Sequence, residues 1–159
     1  MYSRIQIQEV DFSVDDVLSE LKRASGAVGG ICTFTGCVRD LNDDETVTSL
    51  FLEHYPGMTE KQLAKILEAA SARFSMLGVV VIHRVGLLTP GDNIVLVAVA
   101  SEHRGEAFEA CHFVMDYLKT QATFWKREQR GSGDGQWLSM RASDQVAQAV
   151  WEAGHDAKD

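Results

Sequence analysis

The chain of 159 residues has no C-x-x-C pair, no apolar run of membrane-spanning length, and more acid than base, 23 Asp and Glu against 15 Lys and Arg. Each shortage removes a class of function. Without C-x-x-C, neither a zinc ribbon nor a thioredoxin-type centre is expected. Cys32 and Cys37 are five apart, an odd spacing that turns them to opposite faces of a regular strand. With Cys111 they read as small buried hydrophobes in a reducing compartment. The apolar run IVLVAVA is strand-sized, and the N-terminal MYSRIQIQEV alternates instead of forming a secretory apolar segment. The expected location is therefore cytoplasmic. A formal charge of −8 argues against a general nucleic-acid binder or an anionic membrane surface, without barring a local cationic pocket. No Walker loop, G-x-S-x-G elbow or H-E-x-x-H pair is present, so no metal site is expected.

The patterning that is present describes an ordinary folded domain. Residues 1–150 read as one domain, with 151–159 as a frayed tail. RIQIQEV alternates as a strand, and Ser13 caps a helix whose apolar stripe is Val14, Val17, Leu18 and Leu21, with Gly26 as its stop. GAVGGICTFTGCVRD reads as a strand interrupted by Gly29, Gly30 and Gly36, marking a bulge or close backbone approach. DLNDDET reads as a loop and VTSLFLEH as a strand. Pro56-Gly57 suits a type II turn, and Thr59 with Gln62 matches a capping box ahead of a helix carrying Leu63, Ile66, Leu67, Ala70 and Phe74. LGVVVIHRVG and IVLVAVA are strands, the second buried on both faces. Ser101 is positioned to cap a helix with Phe108, Cys111, Met115 and Leu118 on its buried stripe. ATFWKRE and GQWLSMRA are strands around the turn GSGDG, and Ser143 caps a last helix. Strands and helices mix without strict βαβ alternation, which gives an α+β fold, mostly antiparallel.

The chemistry-bearing residues are cations. In MDYLKTQATFWKRE, Lys119, Lys126 and Arg127 crowd the aromatic pair Phe124 and Trp125 within an acidic chain. Adjacent strand residues diverge, so Lys126 and Arg127 cannot both face one pocket. Trp125 reads as core or as a wall beside a ring-shaped ligand, with core as the default. His103 and Arg104 fall at a helix start, the unfavourable end of the dipole for a cation. They suit a bound anion there, and pairing of Arg104 with Glu102 or Glu106 is the alternative. Arg39 ends the glycine-bearing strand, either in solvent or forked onto a phosphate. Arg141 precedes the last helix, on the surface or in a basic pocket. His54 and His83 read as structural. Lysines among other cations acquire lowered pKa values and become usable as acid, base or nucleophile. The residues thus indicate an anionic substrate without naming one.

FTGCVRD, LEHYPGMTEK, VIHRVG, PGD, SEHRGEAFEA, MDYLKT and FWKRE, taken in order, resemble the large, catalytic subunit of molybdopterin synthase over about residues 27–145. The resemblance implies an α/β hammerhead-type fold and a homodimer. Each subunit would bind one small ubiquitin-like sulfur carrier, giving a heterotetramer. It implies sulfur transfer from the carrier's C-terminal thiocarboxylate to cyclic pyranopterin monophosphate, forming the dithiolene of molybdopterin, with no metal or other cofactor. By the same resemblance Lys119 and Lys126 are catalytic. Cys37, Val38, Arg39, His103, Arg104, Lys119, Lys126, Arg127 and Glu128 are substrate-binding, His103 and Arg104 from the second subunit. Two positions depart from the family pattern. Cys37 stands where lysine is common, leaving main-chain binding at 37–38, and Thr123 stands where proline is common, which is expected to loosen the segment between the two lysines. The competing reading is a non-catalytic adaptor that only captures the tail of a ubiquitin-like protein.

Overall fold

The computed structural model describes residues 1–131, 135–139 and 141–153. The chain runs β1 (Tyr2–Gln8), α1 (Val14–Ala24), β2 (Gly30–Cys37), β3 (Leu41–Asn42), β4 (Glu45–His54), α2 (Met58–Arg73), β5 (Gly78–Arg84), β6 (Gly86–Leu88), β7 (Asn93–Ser101), α3 (Arg104–Gln121), β8 (Phe124–Arg130), β9 (Gln136–Leu138) and α4 (Ala142–Ala153). This is the expected α+β architecture with two short strands added, β3 and β6.

One sheet has the order β1-β5-β7-β2, antiparallel except for the β1–β5 pair. Alternation along β5 and β7 divides its side chains between two layers. Val79, Val81, Val97 and Val99 face α2 and α3, where Leu63, Ile66, Ala110 and Val114 complete the main core. Val80, Ile82, Leu96 and Ala98 face α1 through Val17 and Leu21. Covering on both sides is why IVLVAVA needs no polar face. The second sheet has the order β3-β4-β8-β9, with β6 also paired to β4. Its inner side packs Val47, Leu50, Leu52 and Leu88 against Val38. No helix among the described residues is long and apolar enough to cross a membrane.

Local rules explain most boundaries. Ser13 accepts a hydrogen bond from the Asp16 N–H at 3.2 Å, with Asp15 and Asp16 in the first turn of α1 and Lys22 and Arg23 in the last. The helix closes on extended Ser25, one residue before Gly26. The Tyr55 carbonyl accepts from the Met58 N–H at 3.1 Å, and Gly57 has φ 82°, as a type II turn over Pro56-Gly57 requires. A bulge falls between Gly36 and Cys37, in the glycine-bearing strand. Gly29 marks a close approach: a Cβ there would lie 2.1 Å from the Glu102 carbonyl oxygen.

Other expectations need correction. DLNDDET is a hairpin: Asp43 and Asp44 both adopt left-handed backbone, φ 52° and 64°, the geometry of a two-residue type I′ turn. The N-terminus of α2 is closed from one side, the Glu60 carboxylate accepting from the N–H of the N-cap Gly57 at 2.6 Å, with no glycine side chain to return a bond. Thr59 and Gln62 instead hold the β8 entry: Thr59 donates to the Thr123 carbonyl at 3.0 Å, and Gln62 Oε1 accepts from the Thr123 N–H and hydroxyl at 2.8 and 2.6 Å. Thr123 therefore ties down the segment it was expected to loosen, using an N–H that proline lacks. Ser101 ends β7 and donates to the Ser75 carbonyl, so the N-cap of α3 is His103. Phe108 is exposed because it borders a cavity. Trp125, on the outer face of β8, is exposed as well, and so is Cys37. Ser143 lies inside α4, which starts at Ala142 and continues through Ala153, so Trp151 is helical and packs on the core. The turn over 131–135 lies largely outside the described residues, as does the tail from 154.

Candidate active site

Lys119 sits in the last turn of α3, where its charge complements the helix dipole, and pairs with Asp144 of α4 at 3.7 Å. Lys126 lies in β8 between Leu52 of β4 and Leu138 of β9 and is half-buried. Burial holds its pKa below the ordinary lysine value, and the Lys119 and Arg141 charges push in the same direction against Asp144. The two lysines that lie seven residues apart in sequence are thus electrostatic neighbours. Beside Lys126, His83 is buried and stacked on Phe124, ring centroids 3.7 Å apart. Burial lowers its pKa to about 3, opposed by a bond to the Arg84 carbonyl. The imidazole is therefore neutral, and its Nδ1–H donates to that carbonyl at 2.7 Å.

The arginine side of the site is organised by a residue the sequence reading passes over. Asn42, buried at the β3 end, accepts at Oδ1 from Arg39 at 2.9 Å and from Arg141 at 2.8 Å. Its Nδ2 donates to both oxygens of buried Glu128, at 3.2 and 3.1 Å. Glu128 also takes a 2.5 Å bond from Arg130, which reaches Glu45 and Asp43 as well. These carboxylates raise the Arg130 pKa still further.

The remaining candidates are not joined to this network, although Val38 lines the same cavity as Arg39. Arg127 points to the opposite face of β8, its guanidinium over the rings of Phe51 and Trp137 at 5.3 and 5.6 Å. Cys37 donates its thiol to Asn93 Oδ1 at 3.6 Å. Val38 is buried, its N–H bonded to the Asp92 carbonyl and its carbonyl to the Gly91 N–H, both at 2.9 Å, so its main chain is engaged within the protein. His103 and Arg104 are exposed at the start of α3, His103 3.9 Å from Glu102. Lys119 lies fifteen residues further along the same helix, about 22 Å away. One chain alone does not join these two ends.

A cavity of about 370 Å³ adjoins Lys119 and Asp144, walled by Phe34, Phe108, Cys111 and Met115. A second, near 620 Å³, opens at Arg39, Leu41 and Pro90. No group of three or more His, Cys, Asp or Glu arranged to hold a metal occurs among the described residues.

The fold and site together define an α+β body that gathers side-chain cations, a lysine pair and two arginines on a common amide, around an apolar-walled cavity. The particular family follows from comparison with known proteins. The chain belongs to the MoaE family: the family model described as MoaE protein matches residues 7–121. Proteins named molybdopterin synthase catalytic subunit are similar along most of their length. The one from Ralstonia nicotianae is 51% identical over 147 residues, 92% of this chain and 83% of that one. The one from Pseudomonas aeruginosa is 47% identical over 148 residues, 93% and 98% of the two chains. The solved molybdopterin cofactor biosynthesis protein E from Burkholderia multivorans superposes with a TM-score of 0.81 at 42% identity, covering 96% of this chain and 98% of that one.

Proposed function

We propose that this chain transfers sulfur from the C-terminal thiocarboxylate of a small ubiquitin-like carrier to cyclic pyranopterin monophosphate, building the dithiolene of molybdopterin. The observation that carries this reading is the convergence of Lys119 and Lys126 beside Arg39 and Arg141. A cyclic phosphate and a thiocarboxylate are both anions, and these four cations suit them. The cavity at Lys119 fits an extended glycine tail: it has an apolar wall and a cationic end. A solved complex of subunits 1 and 2 of molybdopterin-converting factor from Helicobacter pylori shares the fold, and a small partner subunit of that kind would bring the thiocarboxylate to this chain.

Lys119, half in solvent at the cavity, would meet the carrier tail and stabilise the oxyanion that forms at its carbonyl. Lys126, with its lowered pKa, would give and take protons during sulfur addition and opening of the cyclic phosphate. To leave its sulfur behind, the thiocarboxylate exchanges it for a water oxygen and departs as a carboxylate. On this reading no resident cofactor takes part.

His103 and Arg104 would serve the pocket of a second copy. Strand β2 is an edge of its sheet, and Thr33, Phe34 and Thr35 are exposed. Two β2 strands paired antiparallel about this point would bring the Gly30 end of one, which lies against Arg104, beside the Arg39 end of the other.

The test is incubation of the purified chain with thiocarboxylated carrier and cyclic pterin, followed by assay for dithiolene. Lys119→Ala is expected to fold and bind carrier but lose about 100-fold or more in turnover. Undiminished product would remove the catalytic assignment. Mixed dimers of Arg104→Ala and Lys119→Ala chains should recover activity above both parents, because one of their two pockets is intact. Equal inactivity of all three would exclude the shared pocket.

A further inference from the structure

We propose that Asn42 is a positioning residue, holding Arg39 and Arg141 side by side as a two-guanidinium cradle for the phosphate of the substrate. The identity of the substrate rests on the function proposed above; the cradle rests on geometry.

The orientation of the amide is dictated by charge. Glu128 can only accept, and both its oxygens face Asn42, so the amide nitrogen must turn toward it and the oxygen toward the arginines. Two Nη2 groups then share one acceptor, which keeps them within about 6 Å of each other. Like charges this close repel. Yet among the described residues neither Arg39 nor Arg141 forms an ion pair. The carboxylate at hand, Glu128, is committed to Asn42 and Arg130. The acid of the network already has a cationic partner in Arg130, and among the described residues the two arginines on Asn42 have no carboxylate partner.

Residue identity at 42 matters for the same reason. Asp40, Asp43, Asp44 and Glu45 surround it in sequence, and Asn42 is the amide among them. A carboxylate at this position would accept the same two bonds but cancel one positive charge and repel Glu128. The amide organises the guanidiniums and leaves their charge for a ligand. Each guanidinium has five N–H donors in a planar fork, the geometry that grips phosphate oxygens in pairs. Lys126, two residues before Glu128 on β8, feels the Arg141 charge.

Isothermal titration of the full-length chain with inorganic phosphate tests the cradle without turnover. Wild type is expected to bind, and Asn42→Asp, Arg39→Ala and Arg141→Ala each to weaken binding about tenfold or more. If Asn42 acts through the arginines, Asn42→Asp should change little in the Arg39→Ala/Arg141→Ala background. In the synthase assay, Asn42→Asp should raise the KM for the pterin far more than it lowers kcat. Arg141 is exposed, so Arg141→Ala keeps the test decisive should Asn42→Asp fail to fold. The proposal is overturned if the wild type fails to bind millimolar phosphate, or if Asn42→Asp or Arg141→Ala leaves affinity unchanged. It is equally overturned if the Asn42→Asp loss persists without the arginines. Phosphate binding that follows the expected pattern in a chain that never forms dithiolene would refute the functional reading and leave the cradle standing.

Discussion

Removing one indole should detach the last helix. None of the described residues of α4 is fully buried, and a 12-residue helix is marginal on its own. Its hold on the body falls largely on Trp151. That ring meets Phe74, Phe113 and His112 edge-on, with centroids 6.0, 5.4 and 5.6 Å away. The Arg73 guanidinium lies 5.4 Å from its centre, and its Nε1–H donates to Asp116 at 2.7 Å. Fully buried Trp→Ala changes cost about 3–5 kcal/mol. Trp151 is half-buried, so Trp151→Ala should weaken α4 docking by about 2–3 kcal/mol. At about 1.4 kcal/mol per factor of ten, amide hydrogen exchange in α4 should accelerate at least about 30-fold. Amides of β5 and β7 should keep their protection, since α4 adds nothing to that sheet's pairing. Trp151→Phe should fall between the two, retaining a ring and losing the bond to Asp116. Undocking also takes Asp144 away from Lys119. Unchanged α4 exchange in Trp151→Ala would refute the assignment of its anchorage to this ring.

Two further outcomes are expected. His83, with its pKa lowered to about 3, prefers to be neutral in the fold while the unfolded chain takes up a proton near pH 6.5. Its contribution is thus complete above pH 6.5 and lost as the pH falls toward 3, by roughly 3–5 kcal/mol in all; His83→Phe should flatten that part of a stability profile measured in urea, and an identical slope would count against it. Gly29→Ala should destabilise by about 3 kcal/mol or more, because the new methyl meets the Glu102 carbonyl; a melting temperature equal to wild type would show that β2 and the start of α3 can part without cost.

Where several local signals agree, the sequence is readable. Ser13, the two aspartates after it and the stripe of Val17 and Leu21 all describe one helix, and the structure has it. IVLVAVA is legible for a different reason: only a layer on each side accommodates seven apolar residues in a strand. The failures arise where a signal is ambiguous or distant. Ser101 looks like a cap, but its hydroxyl is taken by Ser75, and the cap passes to His103. Asp43 and Asp44 resemble any acidic loop, although two left-handed aspartates close a hairpin. Lys119 and Lys126 stand out as cations crowded against aromatics in an acidic chain. Asn42 does not, because an amide among acids reads as turn material. Its role is set by Glu128 and Arg141, 86 and 99 residues away.

Helix α3 carries Arg104 in its first turn and Lys119 in its last. Those two side chains are related by a pitch and a phase as well as by chemistry. A single inserted residue between them would advance Lys119 by about 1.5 Å and swing it through about 100°, away from Asp144 and out of register with β8. Substitutions on the outer side of this helix can come and go, but its residue count is as much a part of the site as the lysine itself.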